Sequence, residues 1–431
     1  MNSISAMMIG LDIFLYSARK ALLLAATIAL FVPMSSQGQD TTAASTQNWK
    51  VSFSGFLKSD YWYDSREIVG ARDNLLLFYP AKPDYAGSGE DFNAHSSLNF
   101  SMITSRITAR IAAPDAFGAK TSGVLEADFS GISNNDIDGF RMRHSYIEMQ
   151  WKKAGLLLGQ YWHPMFVPEV FPNVLALNTG APFQPFIRSP QLSFTWREGG
   201  LNLLFSALTQ LDYASEGPAG RSTKYLRDAG IPNLHMQASY RTKKLLFGGA
   251  VDFKSIVPQI DLIEPSESEQ LTSISYMAYG KFVSNGLNIK AKVILGENLT
   301  EHLMLGGYYA VQDPISGMYE DYRPSRHLNT WLNLTQVVGR WEFSGFFGYA
   351  KKLSEMKSPE ELTFGRNLNI DHVYRIAPLV AVSSGKLKFY CEAEYTLAAY
   401  ESYTGDAGNV VTDIAETPGN LRIQLSAFLF F

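Results

Sequence analysis

Apolar and polar residues alternate with a period of two along most of this chain, and helical periodicity is scarce. From Trp49 to Tyr63 the odd positions carry Val51, Phe53, Leu57, Tyr61 and Tyr63, and the even ones Lys50, Ser52, Ser54, Lys58 and Asp60. Leu287, Ile289, Ala291, Val293 and Leu295 likewise oppose Asn288, Lys290 and Lys292. Leu387, Phe389, Cys391, Ala393, Tyr395 and Leu397 oppose Lys386, Lys388, Glu392 and Glu394. Successive side chains of a strand point to opposite faces, so this pattern predicts strands with one apolar and one polar side. Candidate strands fall near 49–63, 97–113, 121–130, 140–151, 155–162, 190–198, 200–210, 232–242, 245–255, 271–283, 287–297, 303–312, 328–338, 341–351, 372–384, 386–399 and 420–431.

The last segment narrows the class. Leu421, Ile423, Leu425, Ala427, Leu429 and Phe431 alternate with Arg422, Gln424 and Ser426, and the chain stops on Phe431. An amphipathic terminal strand ending in phenylalanine resembles the signal that the barrel-assembly machinery reads in bacterial outer-membrane proteins. Alternation alone would also suit a secreted sandwich. The expected fold is all-β: a transmembrane antiparallel barrel, in which every backbone group finds a partner without an open edge. Single-chain bacterial barrels favour even strand numbers, so the seventeen segments imply about 16 strands and one surplus assignment. Barrels of that size enclose water, whereas eight-stranded ones are filled by side chains. Tyr61, Tyr63, Trp151, Trp162, Trp196, Tyr279 and Trp341 are candidates for the interfacial aromatic bands. Long polar stretches (Arg66–Ala94, Gly131–Gly139, Asp212–Ile231, Val257–Gln270, Gln312–Arg326, Tyr400–Pro418) alternate with short ones such as Thr242–Lys244 and Asn285–Gly286, as outer loops and inner turns do.

Composition refines this picture. Of 431 residues 18% are charged and 13% aromatic, and the mean hydropathy is -0.07. The one long apolar run, Ala21 to Val32, follows Arg19 and Lys20 and precedes Pro33 and the polar residues 35–39, the layout of a secretory signal peptide. The expected organisation is a signal peptide over 1–39, its first 18 residues an over-long start, and a barrel over 40–431. Removing Asp12, Arg19 and Lys20 with the signal changes the net charge from -4 to -5, which argues against nucleic acid as a partner. The lone Cys391 allows no internal disulfide.

From His163 to Pro190 the alternation stops. Six prolines rule out a strand, while Met165, Phe166, Val167, Phe171, Phe183, Phe186 and Ile187 are too apolar for an exposed loop. A long structured loop of this kind is expected either inside the lumen as a constriction or against a neighbouring subunit, with Phe166, Phe171, Phe183, Phe186 and Arg188 as its working residues. GQYWHPMF (159–166), FPNVLALNTGAPFQPFIRSPQL (171–192), SRITARI (105–111) and FRMRHSYIEM (140–149) together resemble the DcaP-like porins, particularly their Bacteroidetes members, as does the late pattern YRIAPLV…SSGKLKFYCEAEYTLAAY. The resemblance implies a trimeric, roughly 16-stranded diffusion porin of the bacterial outer membrane that prefers small anionic solutes. Proteobacterial members carry an N-terminal coiled coil. Here residues 40–48 show no heptads, so a homotrimer would have to form through the barrel wall.

Candidate lumen charges follow from strand parity. Arg106 and Arg110 oppose Ile103, Ile107 and Ile111. Glu126 and Asp128 oppose Leu125, Ala127 and Phe129, and Lys290 and Lys292 face inward on their strand. Arg141 and Arg143 share parity with Ile147 and Met149, which requires either a register shift or a position beyond the bilayer. Opposed basic and acidic ladders would set up a transverse field; paired ones would stiffen the wall. No cofactor or metal is expected: His144 and His163 lack a metal-like partner at helical spacing, and seven histidines are scattered. Residues 134–139 imitate a calcium loop but have Ser145 where its glutamate belongs. Besides a porin for small polar, anionic solutes, two alternatives remain. One is a substrate-specific channel with a ligand site at 163–190. The other is a barrel enzyme, for which Ser145 beside His144 is the nearest pair, although neighbours on a strand face opposite ways.

Overall fold

A computed structural model describes residues 49–177, 179–260, 269–358, 360–406 and 409–431. The expected signal peptide lies outside these residues. Sixteen antiparallel strands close into a barrel: β1 (Lys50–Asp64), β2 (Arg106–Ala112), β3 (Lys120–Asp128), β4 (Arg141–Gln150), β5 (Ala154–Trp162), β6 (Arg188–Glu198), β7 (Leu201–Leu208), β8 (Asn233–Arg241), β9 (Leu245–Ile256), β10 (Leu271–Ser284), β11 (Leu287–Glu297), β12 (Arg326–Val338), β13 (Trp341–Lys352), β14 (Ile370–Ser384), β15 (Leu387–Asp406) and β16 (Gly419–Phe430). Each strand pairs with its neighbours in sequence, and β1 closes on β16 in a register running from Phe56↔Phe430 to Asp64↔Arg422. Gly55 and Phe431 exchange backbone hydrogen bonds at 3.3 and 3.1 Å across that seam. A Cβ on Gly55 would lie 2.1 Å from the Arg106 carbonyl oxygen, so the seam tolerates only glycine there.

The barrel is turned inside out relative to a soluble protein. Leu57 and Leu425 are 52% and 51% exposed on the outer wall, whereas Asp60 and Arg422 are 0% and 1% exposed inside. Only a hydrocarbon surround makes that arrangement favourable. Tyr61, Tyr63 and Trp341 are exposed on the outer wall as the sequence suggests. Trp162 and Tyr279 do not belong to an interfacial band: Trp162 stacks on Phe166, and the Tyr279 hydroxyl accepts a hydrogen bond from Gln237 inside the barrel.

Short turns such as 199–200, 285–286, 339–340 and 385–386 join the strands at one end and long connections at the other, which fixes the outer side. The surplus assignment is 303–312. Gly306–Gln312 leaves the barrel and pairs with Tyr319–Pro324 and Leu362–Arg366 in a separate three-stranded sheet above the rim. The stretch Tyr400–Pro418 is not a loop throughout: β15 continues to Asp406 and pairs there with Asn409–Glu416. The segment 97–113 is interrupted at Met102–Ser105, so Ser97–Ser101 and β2 pair separately with β1, and Ile103 turns into the interior.

Candidate functional site

The loop between β5 and β6 enters the barrel. Met165, Phe166, Val170, Phe183, Phe186 and Ile187 are all buried, and His163 N donates to Ile187 O at 3.1 Å to close its base. The loop offers many carbonyl groups to the wall, and the wall meets them with cations. Lys292 Nζ donates to the carbonyls of Met165 (2.9 Å) and Phe166 (2.8 Å), Lys290 Nζ to Phe171 O (3.0 Å) and Lys58 Nζ to Leu175 O (3.1 Å). Arg375 reaches Ala181 O at 3.1 Å and also holds Leu77 and Phe78, which belong to a second inward segment. Lys290 and Lys292 therefore face the lumen as their parity predicts, but their charge is spent on anchoring the loop. Lys58 and Arg375 do the same work and were not singled out from sequence, although Lys58 sits on the polar face of the first strand.

Aromatic contacts fix the loop's shape. The Trp162 and Phe166 rings stack at 3.8 Å, and Phe171 stacks on Phe166 at 5.4 Å. Phe183 lies against Gly348 of β13, where a Cβ would come within 2.5 Å of the ring. Lys292→Met is expected to leave Met165 O without a donor and Phe166 O with only Gln184 Nε2, which donates to it at 2.8 Å, a loss of about 2–3 kcal/mol from charged hydrogen bonds. The variant should show larger and noisier open-channel current in bilayer recordings, and an unchanged trace would rule out an anchoring role for Lys292.

The charges on β2, β3 and β4 form one patch of wall and do not oppose each other across the lumen. Arg141 grips Asp128 through Nε (3.1 Å) and Nη2 (3.0 Å). Arg143 bridges Glu126 at 2.9 Å and Asp128 at 2.8 Å, while Arg106 stands 3.7 Å from Glu126. The register shift that parity required is a β-bulge: Glu126 pairs with His144 and Ala127 with Met142, leaving Arg143 as the extra residue. Arg141, Arg143 and His144 thus all turn inward, and Ile147 outward. Arg110 is exposed near the turn end of β2 and makes no ion pair among the described residues.

Arg188 is the first residue of β6 and not part of the loop proper. It is 0% exposed, with its guanidinium 5.2 Å from the Trp162 ring, 5.5 Å from Phe186 and 5.1 Å from Tyr213. Nη2 donates to the Tyr213 hydroxyl at 2.9 Å. Nε and Nη1 are buried without an acceptor among the described residues. Arg188 itself lines neither of two cavities nearby, but its ring neighbours do, Trp162 the one and Phe186 and Tyr213 the other. The turn-side one, about 550 Å³, is lined by Trp162, Glu148, Glu169, Arg197 and Arg241 among others. The loop-side one, about 400 Å³, includes Phe186, Tyr213, Arg72, Arg141, Arg221 and Arg366 against Asp212 and Glu216. The neck of packed side chains between them holds the buried Arg188, and the outer cavity is cationic, with four guanidiniums facing two carboxylates. Ser145 and His144 form no catalytic pair, since His144 is turned inward and buried beside Glu126 while Ser145 takes the opposite face.

No protein-family model matches this sequence, and no curated relative does either. Solved structures do match. The outer membrane channel DcaP of Acinetobacter baumannii is 15% identical, with a TM-score of 0.65 over 90% of this chain and 99% of that one. An anion-selective porin from Comamonas acidovorans is 11% identical, with a TM-score of 0.56 over 89% and 100%. The trimer form of OmpT, an outer membrane protein of Vibrio cholerae, is 9% identical, with a TM-score of 0.50 over 89% and 99%. Identities this low speak for architecture alone. The chain folds as a 16-stranded barrel of the bacterial outer membrane, with a loop folded into its lumen.

Proposed function

We propose that this barrel is a porin of the DcaP-like type, a homotrimer that passes small polar solutes and favours anionic ones. The observation that carries the proposal is Arg188, a buried guanidinium with two N–H donors that meet no acceptor among the described residues, packed among rings that line two cavities, Trp162 the one and Phe186 and Tyr213 the other. A fixed cation in a narrow, low-dielectric channel raises the local concentration of anions. An anion-selective porin with the same architecture lends the reading support, and a trimeric neighbour lends support to assembly. In the proposal, Phe431 is the strand end read by the barrel-assembly machinery, and the outer wall faces lipid. A channel function without catalysis is part of the same proposal.

Single-channel recording of the purified protein in planar bilayers, with reversal potentials in a salt gradient, is the test. Three-step openings with anion preference are expected. A folded, heat-modifiable barrel without conductance would sink the open-pore reading. The aromatic box of Trp162, Phe186 and Tyr213 around Arg188 favours a second reading, a substrate-specific channel, in which a planar carboxylate saturates its own flux.

Selectivity should also respond to alkaline pH. Burial pushes the Tyr213 hydroxyl up, but Arg188, Arg141 and Arg143 together pull it down further, leaving its pKa below the usual value. Above that shifted pKa the phenolate places a negative charge on Arg188. Anion preference is therefore expected to weaken as pH rises, before reaching the ordinary tyrosine value of about 10. Tyr213→Phe should flatten that part of the pH profile of the reversal potential, and an identical profile would exclude Tyr213.

A further inference from the structure

Three histidines far apart in sequence meet at the root of the inward loop. His163 begins the loop, His235 projects inward from β8, and His302 lies in the connection between β11 and β12; all are buried with Asp252 of β9. His235 Nδ1 stands 3.0 Å from Asp252 Oδ2 and His163 Nε2 stands 3.6 Å from it. One donor atom from each of these three residues falls within 4.8 Å of the others. In a tetrahedral zinc site with bonds of about 2.0–2.1 Å, neighbouring donor atoms sit about 3.3 Å apart. The existing spacing therefore admits an ion after small side-chain movements.

We propose that His163, His235 and Asp252 form a site for a divalent first-row transition ion, zinc being the best match, with His302 as the neighbouring imidazole able to complete it.

The surroundings are those of a supported site. Asn233 Nδ2 donates to Asp252 Oδ1 at 2.9 Å, which leaves Oδ2 for the imidazoles. His235 Nε2 lies 3.2 Å from Gln237 Oε1, the kind of outer partner that orients a ligating histidine. The His302 ring packs edge-on to His163 at 4.6 Å. Its Nδ1 and the adjacent Glu301 Oε2 are buried without partners among the described residues. Lys254 is engaged by Glu301 at 2.6 Å, so it does not neutralise Asp252. Binding has a cost. His163 Nε2 must exchange its 2.8 Å bond to Asn233 for the ion, and the ring proton then moves to Nδ1, ending the 3.3 Å bond from Met165 N. Two imidazoles and one carboxylate favour zinc, nickel or copper over magnesium or calcium. Pro164 and Gln237, close in sequence to His163 and His235, line the turn-side cavity, the side from which an ion would approach.

An ion here would tie the loop's first residue to two wall strands. Phe186 N already donates to His302 O at 2.9 Å, so the neck around Arg188 would be held from both sides. The inference is independent of conduction, and its test reads binding directly. The whole protein, folded in detergent, is titrated with zinc chloride by calorimetry and with cobalt chloride by visible absorption. One ion per chain is expected, with a tetrahedral cobalt spectrum and a zinc-dependent rise in the temperature at which the barrel loses heat-modifiability. Magnesium should not compete. His235→Gln and Asp252→Asn should each weaken zinc by more than the roughly tenfold to hundredfold typical of outer partners, and His163→Gln serves if either fails to fold. His95→Gln, at an exposed histidine, should change nothing. No binding by the unaltered protein, or binding that survives all three ligand substitutions, overturns the proposal.

Discussion

Arg188→Gln is expected to cut the anion-over-cation permeability ratio by about tenfold while leaving the barrel folded. The guanidinium is the one cation of the neck whose charge meets no carboxylate within 4 Å among the described residues. A unit charge about 5 Å from a passing anion is worth roughly 3 kcal/mol at an effective dielectric of about 20. Salt screening and the nearby carboxylates Glu126 and Asp128 reduce that, which leaves about one decade. Glutamine keeps a hydrogen-bond donor for Tyr213 and fits the space between Trp162 and Phe186. The effect should therefore appear in reversal potential and not in the unfolding midpoint. It should shrink as salt rises, as an electrostatic origin demands. If the selectivity of the variant matches that of the unaltered protein at low salt, Arg188 is not the selectivity group, and the cations of the outer cavity become the candidates.

Much of the fold was legible because the membrane imposes two solvents on every strand. Leu425 and Gln424 differ in burial for the same reason that they differ in polarity, so alternation maps directly onto wall and lumen. It says nothing about which strand is next. Gly306–Gln312 alternates well enough to be counted, yet its partners are Tyr319–Pro324 and Leu362–Arg366, chosen by contacts above the rim. Parity also fails at a bulge, and the conflict between Arg141, Arg143 and Ile147 was the visible trace of one. The inward loop showed itself by proline and apolar content, two properties incompatible with a strand and with an exposed loop. Its anchors were harder to see. A lysine on a polar face looks the same whether it meets water or a carbonyl, so Lys290 and Lys292 passed for pore charges. The histidine cluster was illegible: His163, His235 and His302 come from a loop, a strand and another loop, and spacing along the chain carries no trace of their meeting.

Asp128→Asn is expected to destabilise the barrel by about 3–5 kcal/mol, the usual result of removing one member of a buried ion pair. Asp128 is fully buried and takes both Arg141 contacts and one from Arg143, with Ser130 Oγ as a further donor at 2.8 Å. An amide can accept on its oxygen alone and points two N–H donors at guanidiniums that already donate. Arg141 and Arg143 would then stay buried with only Glu126 and Ser130 to hold them. The same change adds one net positive charge near the neck, so anion preference should rise while stability falls. These opposite directions separate the two roles open to this patch. Were the charges there only to shape the field, selectivity would shift with the unfolding midpoint in urea unchanged. Were they only a brace, the midpoint would fall with selectivity unchanged. Adding Arg141→Gln to the variant removes the stranded cation and should recover part of the lost stability, a coupling that a double-mutant cycle measures. Recovery of none of it would mean that Arg141 and Asp128 do not act as a pair, and that the brace runs through Arg143 and Glu126.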